Sequence, residues 1–254
     1  MKPYILSHTN YKALRKEKFQ VALLPWGATE AHNFHLPYGT DNFETAAIAA
    51  KSAGLAWENG TRCLVLPHIP FGVNTGQHDI PGTINLYPST QSIILHDILE
   101  SVLNSGIHKI LILNGHGGND FKQMLREAGR GFPEMFLATA NWFQSVDKTI
   151  LFKNQGDHAD EMETSLMLHL EPSLVLPLDQ AGPGNSRTFD SQALNESWAW
   201  SERQWSKVTD DTGIGNPKEA TAEKGEAYFK AVCSKVAQLI IEIGKLENDN
   251  PYGK

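Results

Sequence analysis

The chain has 254 residues, 41% of them hydrophobic and 20% charged, and a net charge of −7. That is enough apolar material for one substantial core, and basic residues scattered among acids argue against a nucleic-acid surface. Two cysteines, Cys63 and Cys233, cannot build a disulfide framework or a cysteine-rich zinc site.

The opening residues turn polar almost at once, and no later run reaches the roughly 18 apolar residues of a membrane span. The expected setting is therefore the cytoplasm, without a membrane partner. VALLPWG (21–27) reads as a buried strand, followed by the polar loop TEAHNFHLPYGTD (29–41) and by helical spacing over 42–57. RCLVLP (62–67) is a second strand; after a short Pro-bounded link comes the loop FGVNTGQHDIPGT (71–83), then a helix over 89–106 that starts with Ser/Thr and stops at Gly. KILILNG (109–115) predicts a third strand, NGHGGN (114–119) its exit loop, 119–130 a helix and MFLATAN (135–141) a fourth strand.

The segment GDHADEMETSLMLHL (156–170) reads as a helix with a short lead-in, and 178–217, with AGPGNSRT, Trp198, Trp200, Trp205 and TDDTGIGNP, as an irregular covering or interface segment. A long amphipathic helix closes the chain from Ala220. Alternating strands and helices predict an α/β fold: residues 1–254 as a single three-layer α/β/α domain with a mostly parallel central sheet. Ligands bind beyond the carboxyl ends of such strands, so the three polar loops are expected on one rim.

Glu30 and His32 point the same way if the chain leaves its strand extended, and Asp41 can return through the LPYGT turn. These are ligands suited to Zn²⁺, Mn²⁺ or Fe²⁺; the alternative is an Asp helix cap, a surface Glu and histidines bonded to backbone. His116 stands in a loop where Gly117 and Gly118 allow close approach to a ligand, and no Lys or Ser/Thr completes a phosphate loop there. Asp157, Asp160 and Glu161 read as ordinary partners of a helix dipole. Glu163 lies against the apolar face of its helix, where an unpaired carboxylate is costly and a cation is the natural partner.

Taken in order, LLPWGATEAHNFHLPYGTD, HDIPGT, ILNGHGGN, HADEMETSLML and GNPKEATAEKG resemble the creatininase (creatinine amidohydrolase) family, over about residues 20–235. The resemblance implies a layered α/β/α domain whose two-metal centre hydrolyses a non-peptide amide C–N bond by a metal-bound hydroxide, in a cytoplasmic homo-oligomer, often a hexamer. Its ligand positions fall on Glu30, His32, Asp41 and His116, with Asp41 bridging the ions. His158 matches the proton donor to the leaving nitrogen, His35 a histidine supporting the ligands, His78 a residue near the metal pocket and Trp142 an aromatic at the substrate cavity.

Creatinine-cleaving members carry a ligand Glu where this chain has Gly118, and Glu163 is expected to replace it. Asn33 and Phe34 stand where Gly-Pro is usual, and KNQGD stands where a substrate-covering Trp precedes the position of His158. The expected function is metal-dependent hydrolysis of a small cyclic amide or formamide, with two divalent ions, zinc first and manganese or iron as alternatives. Peptidase-like or deformylase-like processing of a cofactor precursor, and a non-catalytic metal-binding role, are the rivals.

Overall fold

A computed structural model of the protein describes residues 2–154, 156–247 and 250–253. Four strands, β1 (Val21–Trp26), β2 (Cys63–Val65), β3 (Lys109–Asn114) and β4 (Phe136–Asn141), form one sheet in the order β2-β1-β3-β4. Every pairing is parallel, with Leu23 opposite Val65, Leu24 opposite Ile112 and Leu111 opposite Ala138. The apolar runs form strands because both of their faces are covered. β2 is shorter than its apolar run predicts, ending two residues before Pro67, which has no N–H to offer a ladder.

Alternation along the strands divides the core in two. Val21, Leu23, Cys63, Val65, Leu111 and Leu113 face helices α1 (Thr40–Glu58), α4 (Glu161–Leu170) and α5 (Ala222–Lys245). Ala22, Leu24, Leu64, Ile110 and Ile112 face α2 (Pro88–Asn104) and α3 (Phe121–Gly131). Each fully buried Leu or Ile contributes about 1.5–3 kcal/mol, so the sheet is fixed from both sides and its carboxyl-end loops are held on a rigid base.

The helix starts follow local chemistry. Pro88 opens α2 at a position where its missing N–H costs nothing. Asp160 caps α4 by accepting from the backbone N–H groups of Met162 (2.9 Å) and Glu163 (3.2 Å). Between α4 and α5, residues 178–217 carry only short turns, among them Gln192–Asn195 and Trp205–Val208. This stretch is tied back on itself by a bridge from Ser186 to Thr209 and onto the loop before α4 by one from Ile214 to His158. Among the described residues no helix is long and apolar enough to cross a membrane.

Candidate metal centre

The exits of β1 and β3, the first turn of α1 and the start of α4 meet at one point. Glu30 and His32 come from the first, His116 from the second, Asp41 from the third, and His158 and Glu163 from the last. All are buried except Glu163, which is half-buried. His116 Nδ1 lies 2.9 Å from Glu30 Oε1 and 3.0 Å from Asp41 Oδ2, His32 Nε2 lies 3.0 Å from Asp41 Oδ1, and His158 Nδ1 lies 3.8 Å from Glu30 Oε1. Three overlapping groups result: Glu30, Asp41 and His116; His32, Asp41 and Glu163; Glu30, His32 and His158. Within each, the potential ligand atoms lie within 4.8 Å of one another.

The far nitrogen of each imidazole is tied to a main-chain carbonyl. His116 Nε2–H donates to Val73 O (2.9 Å), His32 Nδ1–H to Glu30 O (3.1 Å) and His158 Nε2–H to Ala31 O (2.7 Å). This fixes the rings and leaves His116 Nδ1, His32 Nε2 and His158 Nδ1 turned toward the carboxylates, the arrangement that orients metal-bound histidines. Asp41 Oδ2 makes no hydrogen bond of proper geometry despite its nearness to His116. Ring nitrogens and carboxylate oxygens converging on one buried point suit a cation, and Asp41, common to the group with Glu30 and His116 and the group with His32 and Glu163, suits a pair of cations.

The electrostatics of the clustered groups agree. Burial alone would lower the basicity of His32 and His116, yet the acids outweigh it: His32, beside Asp41, Glu163 and Glu30, is raised to about 10, and His116, beside Glu30 and Asp41, is raised well above its ordinary value. Burial disfavours the charged forms of Glu30 and Asp41, but the facing imidazoles hold both below the usual carboxylate range. Glu163 is pushed up to about 8 by burial, with His32 opposing and Asp160 and Asp41 adding to the rise. Protons on imidazoles here do the work that dications would do better, because they offset only part of the clustered negative charge.

A polar layer holds the ligands in place. Gln77 Nε2 donates to Glu30 Oε2, and Asn114 Oδ1 accepts from His116 N (3.2 Å) and from Asn119 Nδ2 (3.0 Å). Asn119 Oδ1 in turn accepts from Val73 N (3.0 Å) and Gln91 Nε2 (2.8 Å), which fixes the carbonyl that orients His116. At Gly118 a Cβ would stand 2.3 Å from Val73 O and 2.5 Å from His116 Nε2. No side chain fits there without a shift of the 71–83 loop or of His116. His35 accepts or donates at Thr164 Oγ1 (2.9 Å) and is lowered to about 4 by burial and then by the charge of His32; it joins the ligand loop to α4 as a neutral ring.

Two expected residues do not join this cluster. His78 is exposed, with its ring 6.2 Å from that of Tyr87, and its neighbour Gln77 is the residue turned inward. Trp142 is only 1% exposed, packs in the core and donates to Thr45 Oγ1 (3.1 Å). Gly117 is exposed, with free space around its Cα. Residues that sequence reasoning passed over include Gln77, Glu44 and the contact of Trp205 with His158. Glu44 follows Asp41 by three positions on one helix face, a spacing that could have marked it. It is fully buried, and neither oxygen has a partner among the described residues. Trp205 lies 4.7 Å from the His158 ring, edge to face.

The creatinine amidohydrolase family model matches residues 6–240. This chain belongs to the creatininase family. It is 45% identical to a Bacteroides fragilis protein of known crystal structure attributed to the creatinine amidohydrolases, with a TM-score of 0.92 over 97% of this chain and 98% of that one. The mycofactocin precursor peptide peptidase of Mycolicibacterium smegmatis is 28% identical over 87% of this chain and 84% of its own length. A Zn–Zn form of a mutant creatininase, 23% identical, shares the fold at a TM-score of 0.79 over 95% and 98% of the two chains. Creatininase-family members are hydrolases, and this one carries the buried His/Glu/Asp groups that can bind metal.

Proposed function

We propose that the protein is a metal-dependent amidohydrolase that cleaves a C–N bond of a small amide, of cyclic-amide or formamide type. Glu30, Asp41 and His116 would hold one divalent ion and His32, Asp41 and Glu163 the other, with Asp41 shared. Zinc is the first choice, since a creatininase has been crystallised in a Zn–Zn form, with manganese the second because another holds Mn. Bound there, the ions supply Lewis acidity and make a water molecule acidic near neutral pH.

The chain's own residues would do the rest. His158 Nε2–H is tied to the Ala31 carbonyl, so Nδ1 is the atom free to exchange a proton; burial and then the charge of His32 hold His158 below its ordinary basicity. At neutral pH that atom takes up a proton from the attacking water and returns it to the departing nitrogen, general acid–base work on the order of 10²–10⁴-fold. The observation that supports this reading is a third tautomer-fixed imidazole, His158, whose Nδ1 faces Glu30 Oε1 at 3.8 Å where His116 Nδ1 approaches the same oxygen to 2.9 Å. The whole chain would act as one unit, with 178–217 covering the site, in a cytoplasmic homo-oligomer; Trp198 and Trp200, 75% and 86% exposed on that segment, favour assembly.

The test is a substrate panel of creatinine, N-formyl compounds and short peptides, with wild type and His158→Ala loaded with zinc. The expected outcome is turnover of a small amide that falls by about 10²–10⁴ in the variant while metal content stays the same. Unchanged turnover would remove His158 from the reaction. Peptide cleavage alone would favour the second reading, processing of a peptide precursor, which the 28% identity to the mycobacterial peptidase supports.

A further inference from the structure

Residues 202–206 form a strap anchored to the loops on either side of His158. On one side Thr75 Oγ1 donates to Glu202 and Ser206 Oγ donates to Asp79. On the other, Arg203 Nη1 donates to Asp157 Oδ2 at 2.8 Å, one residue before His158. Between these anchors the Arg203 guanidinium lies 4.9 Å from the Trp205 ring centroid, a cation–π contact that steadies the indole. That indole meets His158 at a centroid distance of 4.7 Å and an interplanar angle of 62°. The strap sits so close to the loop after β2 that a Cβ on Gly76 would stand 2.2 Å from the Arg203 carbonyl oxygen.

We infer that Trp205 is the ceiling over the proton-donating side of the site: it shields His158 from water and limits the size of the amine that leaves. The assignment rests on the amide-hydrolase reading for its substrate, but its geometry does not. His158 is 5% exposed although it precedes the helix on a surface loop, and the ring against its open face comes from the strap. His158 Nδ1, the atom free to protonate nitrogen, lies beside Glu30, so the leaving group occupies the space that the indole bounds. Removing the indole would empty the volume it fills against the His158 ring and admit bulkier amines. The selected substrate class is therefore an amide with a compact leaving nitrogen.

Two measurements on zinc-loaded protein test this. First, diethyl pyrocarbonate labelling of His158, read by peptide mass spectrometry, needs no substrate. Labelling is expected to be slow in wild type and in Trp205→Phe, and faster by on the order of tenfold in Trp205→Ala, where the shield must no longer open first. Gly76→Ala, which displaces the strap without touching the indole, is expected to raise labelling in the same direction, and it serves as the second variant if Trp205→Ala does not fold. Equal labelling in wild type and both variants would overturn the assignment. Second, in a series of amides differing only in the leaving amine, Trp205→Ala is expected to shift the ratio of kcat/KM for bulky over compact amines upward by on the order of tenfold. The phenylalanine variant should retain the wild-type ratio. An unchanged ratio would refute the size limit; absence of turnover on any amide, with His158 still shielded, would refute the amide reading and leave the ceiling standing.

Discussion

Glu44 occupies a position that most proteins avoid: a carboxyl with no exposure and, among the described residues, no partner for either oxygen. Burial, followed by the nearby charges of Glu163 and Asp41, pushes it well above its ordinary value of 4.5. The folded chain therefore keeps this proton at pH values where the unfolded chain has lost it. Its contribution to stability is whole below about pH 4.5 and declines as pH rises, by at most about 1.4 kcal/mol per pH unit for one proton. Glu44→Gln, neutral and of the same shape, should escape that decline. Urea unfolding of the metal-free protein is expected to give a small difference between variant and wild type at pH 5 and a growing advantage for the variant toward pH 9. Parallel curves would mean that Glu44 titrates alike in both states.

The connection between the ligand loop and the covering segment depends on Asn33. It stands at φ 54°, a left-handed conformation that Asn tolerates better than most residues. Its side chain accepts from Gly182 N (2.8 Å) and donates to Gly182 O (3.2 Å), and its own N–H donates to Thr212 Oγ1 (2.9 Å). Asn33→Ala loses both side-chain bonds to Gly182 and the one that Phe34 N donates to Oδ1, strains the backbone, and is expected to cost about 1–3 kcal/mol and to speed proteolysis within 178–217. Asn33→Gly should recover the backbone part alone, which separates the two causes; protease resistance unchanged in both would detach Asn33 from the segment. The same loop marks the limit of what the sequence discloses. The strands, the five long helices and the meeting of the loops that carry Glu30, His32 and His116 were legible because apolar runs and helical spacing have a period and because loops leaving parallel strands share one rim; the choice of these residues with Asp41 as a ligand set came from the family resemblance, and Glu163 from its place on an apolar helix face. Gln77 and His78 were not distinguishable, since a tight turn has no period to say which of two adjacent side chains faces inward. Trp142 was expected at the substrate cavity only through the family resemblance, whereas its ring is packed in the core and bonded to Thr45. Nothing local could have matched Trp205 with His158, because anchors on two distant loops bring them together.

For the molecule as a whole, the metal centre couples fold, charge and cation. In the metal-free state His32 and His116 hold protons, and so does much of Glu163 at neutral pH; zinc must displace them. Adding zinc at pH 7 in weak buffer is expected to release on the order of two protons or more per chain. A thousandfold excess over the dissociation constant should add about 4 kcal/mol of stability, read as a higher Tm that a chelator reverses. No proton release and no rise in Tm would mean that the clustered groups do not bind the ion. The cage also has an order of arrival. Its donors span the chain from Glu30 on the exit of β1 to Glu163 in the first turn of α4, so a polypeptide still emerging from the ribosome offers zinc no finished cage until that turn has been made. Captured metal would then act as a certificate that synthesis and folding have run to that point, and truncated chains would go without it.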